Sequence, residues 1–95
     1  MKNVIILHGT GDSPDLFWFP YVASGLKEKG FDVWLPQLPN AKNPNLKDWL
    51  SFVLENGKFT EETVMIGHSA GAQLILSILE NIDIKVKYAG QRHAG

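Results

Sequence analysis

Residues 63–71 read Thr63-Val64-Met65-Ile66-Gly67-His68-Ser69-Ala70-Gly71, an apolar run that passes through a glycine straight into a helix-forming one. Thr63-Val64-Met65-Ile66 has the unbroken apolar character of a parallel strand buried on both faces. From Ala70 to Leu79 the apolar residues fall at helical spacing, and Leu74, Ile75, Ile78 and Leu79 are expected on the buried side. A strand that enters a helix almost without a loop needs residues lacking a Cβ where the two elements nearly touch. Gly67 and Gly71 occupy those places. Between them the turn forces Ser69 into a strained backbone conformation that lifts its side chain clear of the sheet.

The same alternation extends outward. Val4-Ile5-Ile6-Leu7 is a second buried-strand run, broken by the turn residues of His8-Gly9-Thr10-Gly11-Asp12-Ser13-Pro14-Asp15. Pro20 suits the first turn of a helix with the apolar stripe Phe19, Val22, Ala23 and Leu26. Lys27 and Lys29 favour its C-terminal end, and Gly30 is its stop. Phe31-Asp32-Val33-Trp34-Leu35 reads as a strand closed by Pro36, and the Pro- and Asn-rich stretch up to Asn45 as loop. Asn45 is placed to cap a helix striped by Leu46, Trp49, Leu50 and Val53, with Asp48 in the capping-box position and Asn56-Gly57 as the end. Ile82, Ile84, Val86 and Tyr88 alternate with Asp83, Lys85 and Lys87, which predicts an edge strand with one polar face. Residues 90–95 read as a frayed tail. This order gives right-handed βαβ units: an α/β fold with a parallel sheet and helices on both faces, in three α-β-α layers.

A chain of 95 residues holds a single domain with a modest core. An apolar fraction of 44% and a charged fraction of 20% are ordinary for a globular protein. The net charge of -1 offers no electrostatic footprint for nucleic acid or an anionic membrane. No apolar run reaches the roughly 18 residues of a membrane span, and the run after Met1-Lys2-Asn3 is too short for a secretion signal. The absence of cysteine removes a disulfide scaffold, a cysteine nucleophile and a thiolate metal site. A cytoplasmic setting is therefore expected.

Gly67-His68-Ser69-Ala70-Gly71 fits the G-x-S-x-G nucleophile elbow, which presents a serine hydroxyl above a sheet. The Ala70 N–H, at the start of the helix, is then free to donate to an oxyanion. His8-Gly9-Thr10-Gly11 leaves the first strand at the same sheet edge, and an N–H at Gly9 or Thr10 would be the second donor. The plain alternatives are a Gly-Ser turn that serves only the fold, and a Gly-rich turn with no duty. Phe17, Trp18 and Leu38 are candidates for a small apolar pocket, with core packing as the competing duty.

Together, V-I-I-L-H-G-T-G-D and V-M-I-G-H-S-A-G resemble the α/β-hydrolase fold, and more narrowly the small retinoblastoma-binding-protein-type serine hydrolases. The resemblance takes in the segment of Trp18 and Phe19, the Trp34-Leu35-Pro36 strand end and the loop after it, over residues 2 to about 82. It implies a serine hydrolase acting on a small-molecule ester or amide through an acyl-enzyme. Ser69 would be the nucleophile and Ala70, with Gly9-Thr10, the oxyanion hole. In that family the acid and base follow the elbow on later strands, so the chain is expected to be the N-terminal part of such a domain, with little turnover alone. Asp83 precedes its strand and so falls at the wrong edge. His93 follows it and could serve as a base with Asp12 or Asp15, against the plainer reading of a tail histidine. His68 is expected to pack away from the site and His8 to orient the loop by hydrogen bonding, with proton transfer as the lesser alternative for His8.

The rival classes fare less well. In a dinucleotide fingerprint the third glycine would fall at Pro14, and Asp32 begins its strand rather than ending it. There is no G-x-x-x-x-G-K-[ST] and no H-E-x-x-H, so neither a cofactor nor a metal is expected. The second hypothesis is a non-catalytic module, a half-hydrolase scaffold whose open edge and uncovered apolar face favour a homodimer or a complementing C-terminal half.

Overall fold

The computed structural model describes residues 2–83, 86 and 88–91. The chain runs β1 (Asn3–Leu7), α1 (Phe19–Glu28), β2 (Asp32–Trp34), α2 (Leu46–Asn56), β3 (Val64–Gly67), α3 (Ala70–Asn81) and β4 (Tyr88–Gln91). All strand pairs are parallel, in the order β2-β1-β3-β4. From β1 the chain steps to one side to make β2, then crosses back to place β3 on the other side. A right-handed crossover in each direction puts its helix on the opposite face. Accordingly Val4 and Ile6 pack with Phe19 and Ala23 of α1 on one face. Ile5, Leu7 and Met65 pack with Trp49 and Val53 of α2 and Leu74, Ile75 and Ile78 of α3 on the other. β1, enclosed from both sides, is buried along its whole length.

Local chemistry sets the helix ends. The Asn45 side chain accepts hydrogen bonds from the Lys47 and Asp48 N–H groups at 2.9 and 3.3 Å, capping α2 as expected. After α1, Gly30 adopts φ 91°. The Gly30 N–H donates to the Lys27 carbonyl at 3.0 Å and the Phe31 N–H to that of Leu26 at 3.1 Å, the paired bonds of a Schellman stop. At the lower edge of the sheet, the buried Asn3 amide donates to the Lys58 carbonyl at 2.8 Å and accepts from the Thr63 hydroxyl at 2.7 Å.

Two expectations are corrected. The last strand occupies Tyr88–Gln91, not 82–88, so Gly90 and Gln91 are strand rather than tail. It does lie at the sheet edge; the remainder of the expected tail, residues 92–95 with His93, falls outside the described residues. Leu79 is 37% exposed, because the inward stripe of α3 is Gly71, Leu74, Ile75 and Ile78. Of the three candidates for an apolar pocket, Leu38 takes the core-packing duty, in the α2–α3 cluster. On the α1 face, Val64 and Ile66 stay half-buried because one helix covers that side. Among the described residues, no helix is long and apolar enough to cross a membrane.

Candidate active site

Adjacent parallel strands whose connections depart in opposite directions leave a crevice at their C-terminal ends. β1 and β3 form such a pair: Leu7 lies beside Gly67, and the His68 N–H extends the ladder to the Leu7 carbonyl at 3.0 Å. The loop after β1 and the turn after β3 therefore meet above the centre of the sheet.

The turn is built on missing side chains. A Cβ on Gly71 would lie 2.2 Å from the Leu7 carbonyl oxygen and 2.7 Å from that of His8. One on Gly67 would lie 2.6 Å from the Ala72 nitrogen and the Gly71 carbonyl. With both absent, α3 starts directly on the end of β1. Ser69 carries the remaining curvature at φ 57° and ψ -117°, a region unfavourable to any residue with a Cβ, and its side chain is exposed. The turn closes through N–H bonds from Gly71 to the His68 carbonyl and from Ala72 to the Ser69 carbonyl, each 3.0 Å.

The opposing loop is pinned by His8, whose ring is fully buried. Its Nε2 accepts the Leu38 N–H at 2.8 Å. Because a backbone N–H can only donate, the ring proton is assigned to Nδ1, which donates to the Gly9 carbonyl at 2.9 Å. Both ring nitrogens are thus held by main chain, which matches a loop-orienting part and leaves no lone pair for proton transfer. Trp49 stands edge-on to the ring at 5.8 Å and donates its Nε1–H to the Pro39 carbonyl at 2.6 Å. The Gly11 N–H donates to the Ala41 carbonyl at 2.7 Å. These bonds make the loops after β1 and β2 one rigid unit.

Gly9 brings that unit against the turn. A Cβ on Gly9 would stand 3.0 Å from each of Asp12 Oδ2, the His68 carbonyl oxygen and Ser69 Cβ. The Gly9 N–H itself donates to Asp12 Oδ2 at 2.9 Å. It is therefore engaged, which corrects the expectation that it is a donor to a ligand. Thr10 and Ala70 differ: among the described residues, neither of their N–H groups has a protein acceptor.

Asp12 is the residue whose duty sequence reasoning missed. Besides holding the Gly9 N–H, its Oδ2 lies 4.0 Å from His68 Nε2, with both side chains mostly buried. The His68 ring packs against Phe17, Phe19 and Trp18 at 5.6, 5.9 and 6.4 Å between centroids. It has the expected packing role, but it also turns an edge to Asp12. In the same loop the Ser13 hydroxyl donates to the Asp15 carboxylate. That bond, with the Asp15 backbone N–H, holds this exposed carboxyl below its usual value of 3.8. Asp83 is exposed and precedes β4, away from the turn.

The sequence profile of the family described as Serine hydrolase matches residues 4–90. The chain belongs to this serine hydrolase family. It is similar to YdeN of Bacillus subtilis (strain 168), a hydrolase by name, at 32% identity over 90 residues, covering 94% of this chain and 47% of YdeN. The crystal structure of the ydeN gene product matches at TM-score 0.83 and 31% identity, over 98% of this chain and 50% of that one. An extracellular α/β-hydrolase from a Paenibacillus species, described as homologous in structure and function to tobacco salicylic acid binding protein 2, matches in fold at TM-score 0.69 and 16% identity. That match covers 96% of this chain and 40% of the neighbour. The α/β-hydrolase architecture is thus common to all three, while the narrower likeness to retinoblastoma-binding-protein-type enzymes rests on the quoted motifs alone. The serine hydrolase chain spans about half the length of the relatives it matches.

Proposed function

We propose that this chain carries the nucleophile and the oxyanion apparatus of a serine hydrolase that cleaves small carboxylic esters or amides through an acyl-enzyme. The observation that carries the reading is Ser69 at φ 57° and ψ -117°, exposed at the first turn of α3 beside the free N–H of Ala70. Ser69 Oγ attacks the carbonyl carbon and loses its proton to a base. The oxyanion so formed accepts from the Ala70 N–H at the positive end of α3 and from the Thr10 N–H. Collapse expels the alcohol or amine, which takes up the proton, and water then releases the acid by the same route. Gly9 serves by letting the loop approach, not by donating.

The base is assigned to His93, outside the described residues, with Asp12 or Asp15 as its orienting acid, or base and acid together to a complementing segment. A cytoplasmic setting belongs to the same proposal. The decisive experiment is fluorophosphonate labelling of the purified chain, read by intact mass and peptide mapping. Labelling confined to Ser69, absent in Ser69→Ala and after denaturation, supports the reading. A folded chain that stays unlabelled even when mixed with the C-terminal half of a relative such as YdeN refutes it.

One observation favours a second reading, a self-associating scaffold: Val64 and Ile66 are half-buried on the thinly covered α1 face. Light scattering coupled to size exclusion separates the two, since a dilute monomer removes the scaffold reading.

A further inference from the structure

Phe17, in the loop between β1 and α1, is unusual in two independent respects. Its φ is 55°, in the left-handed region that asparagine or glycine occupies more easily than an aromatic residue. Burial does not offset the strain, because Phe17 is 58% exposed. A strained aromatic left facing water points to a function for the ring's position. That position is well defined. The ring stands 5.6 Å from the His68 ring and 6.0 Å from that of Phe19. His68 immediately precedes Ser69, and its carbonyl lies with Ser69 Cβ around the close approach of Gly9. One side of Phe17 is therefore fixed against the elbow, and the remainder is open to solvent at the sheet edge that carries Ser69. Leu16, 38% exposed, adjoins it. The acidic residues of this loop are Asp12 and Asp15, with no lysine or arginine between His8 and Phe19, so an anionic substrate group would meet repulsion.

We propose that Phe17 is a specificity-determining wall of the site: a fixed apolar platform that takes the hydrocarbon chain of an ester or amide and selects uncharged apolar substrates over short or anionic ones. The inference rests on the reading of Ser69 as nucleophile, and its test keeps the two apart.

Binding is measured first because it needs no reaction. N-hexylacetamide and N-methylacetamide are titrated into the isotope-labelled chain while the amide signals of Thr10, Leu16, Phe17, Trp18 and His68 are followed by NMR. The hexyl compound is expected to shift these signals saturably and the methyl compound is not. Phe17→Asn, which accepts the same φ with less strain, should weaken hexyl binding at least tenfold, and Phe17→Leu, which stays apolar, should weaken it less. Should Phe17→Asn lose its signal dispersion, Phe17→Gly takes its place. Equal hexyl binding by wild type and a folded polar or glycine variant, or no hexyl-specific shift, overturns the proposal. The same samples are then treated with methyl and hexyl fluorophosphonates. Hexyl binding without any labelling at Ser69, even with the C-terminal half of YdeN added, removes the nucleophile reading and leaves the platform. Labelling at Ser69 with equal rates for both probes, in wild type and variant alike, removes the platform and leaves the nucleophile.

Discussion

Two substitutions at Ser69 remove the same hydroxyl but differ in what they do to the backbone. Ser69→Ala keeps a Cβ at φ 57° and ψ -117°; Ser69→Gly releases it. Holding a non-glycine residue in so sparsely populated a region costs about 1–3 kcal/mol. Glycine's wider freedom in the unfolded chain offsets about 0.4–1 kcal/mol of the relief. The glycine variant should therefore exceed the alanine variant in stability by about 0.5–2 kcal/mol. In a chain of this size each kcal/mol moves Tm by roughly 4–8 °C. Because Ser69 is exposed, lost side-chain burial does not blur the comparison. Urea unfolding of the two variants side by side, with m-values compared, measures the difference as a shift in midpoint. A glycine variant no more stable than the alanine variant, at unchanged m, would refute the argument that the elbow stores backbone strain.

Four further outcomes follow from the same geometry. Gly71→Ala places a Cβ 2.2 Å from the Leu7 carbonyl oxygen, so α3 must move off β1 and stability should fall by about 3 kcal/mol or more. Gly25→Ala, in open space within α1, should instead gain about 0.5–1 kcal/mol, and urea midpoints of both report the contrast. Asp12→Ala strips the Gly9 N–H of its charged acceptor, a bond worth about 1.5–3 kcal/mol. Ser69 labelling should slow more in Asp12→Ala than in Asp12→Asn, which keeps an acceptor oxygen; equal slowing would discard the positioning argument. Asp15, held below 3.8 first by Ser13, stabilises the fold above its unfolded pKa, and that contribution disappears as pH falls through the lower folded value. An NMR titration of Ser13→Ala should find the Asp15 carboxyl moved upward.

Where a structural feature depends on neighbours in the chain, the residues declare it. Asn45 as a cap, Gly30 as a left-handed stop and the bare Gly67 and Gly71 flanking Ser69 each follow from a few contiguous residues, and each stands where the pattern puts it. β4 shows the opposite case. Alternation is a weaker signal, because it marks residues as candidates for shielding without saying that a sheet supplies it. Ile82 and Val86 do pack partly buried against the cluster under α3. The strand itself begins at Tyr88, because α3 continues to Asn81 and the chain must still return to the level of Val64 before it can pair. Register is therefore set by the length of the crossover rather than by the pattern within it.

The site divides along the same line. Ser69 and the Ala70 N–H lie within one local motif, whereas the choice between Gly9 and Thr10 as second donor turns on a carboxylate placed by the loop. Asp12 follows Gly9 by three residues, so its bond to the Gly9 N–H is a local possibility. What makes that conformation matter is the His68 edge at 4.0 Å, which exists only because β3 lies beside β1. With Asp12 held between loop and elbow, the Gly9 N–H is turned to the carboxylate, and in the proposed mechanism the next N–H along the chain, that of Thr10, is the one that meets the oxyanion. A loop free of that bond would present two competing donors with less defined directions, and oxyanion stabilisation depends on donors fixed in advance of the charge. Under that proposal Asp12 carries information for the site that no reading of the G-x-S-x-G motif contains, and it acts through backbone geometry without touching the reacting atoms.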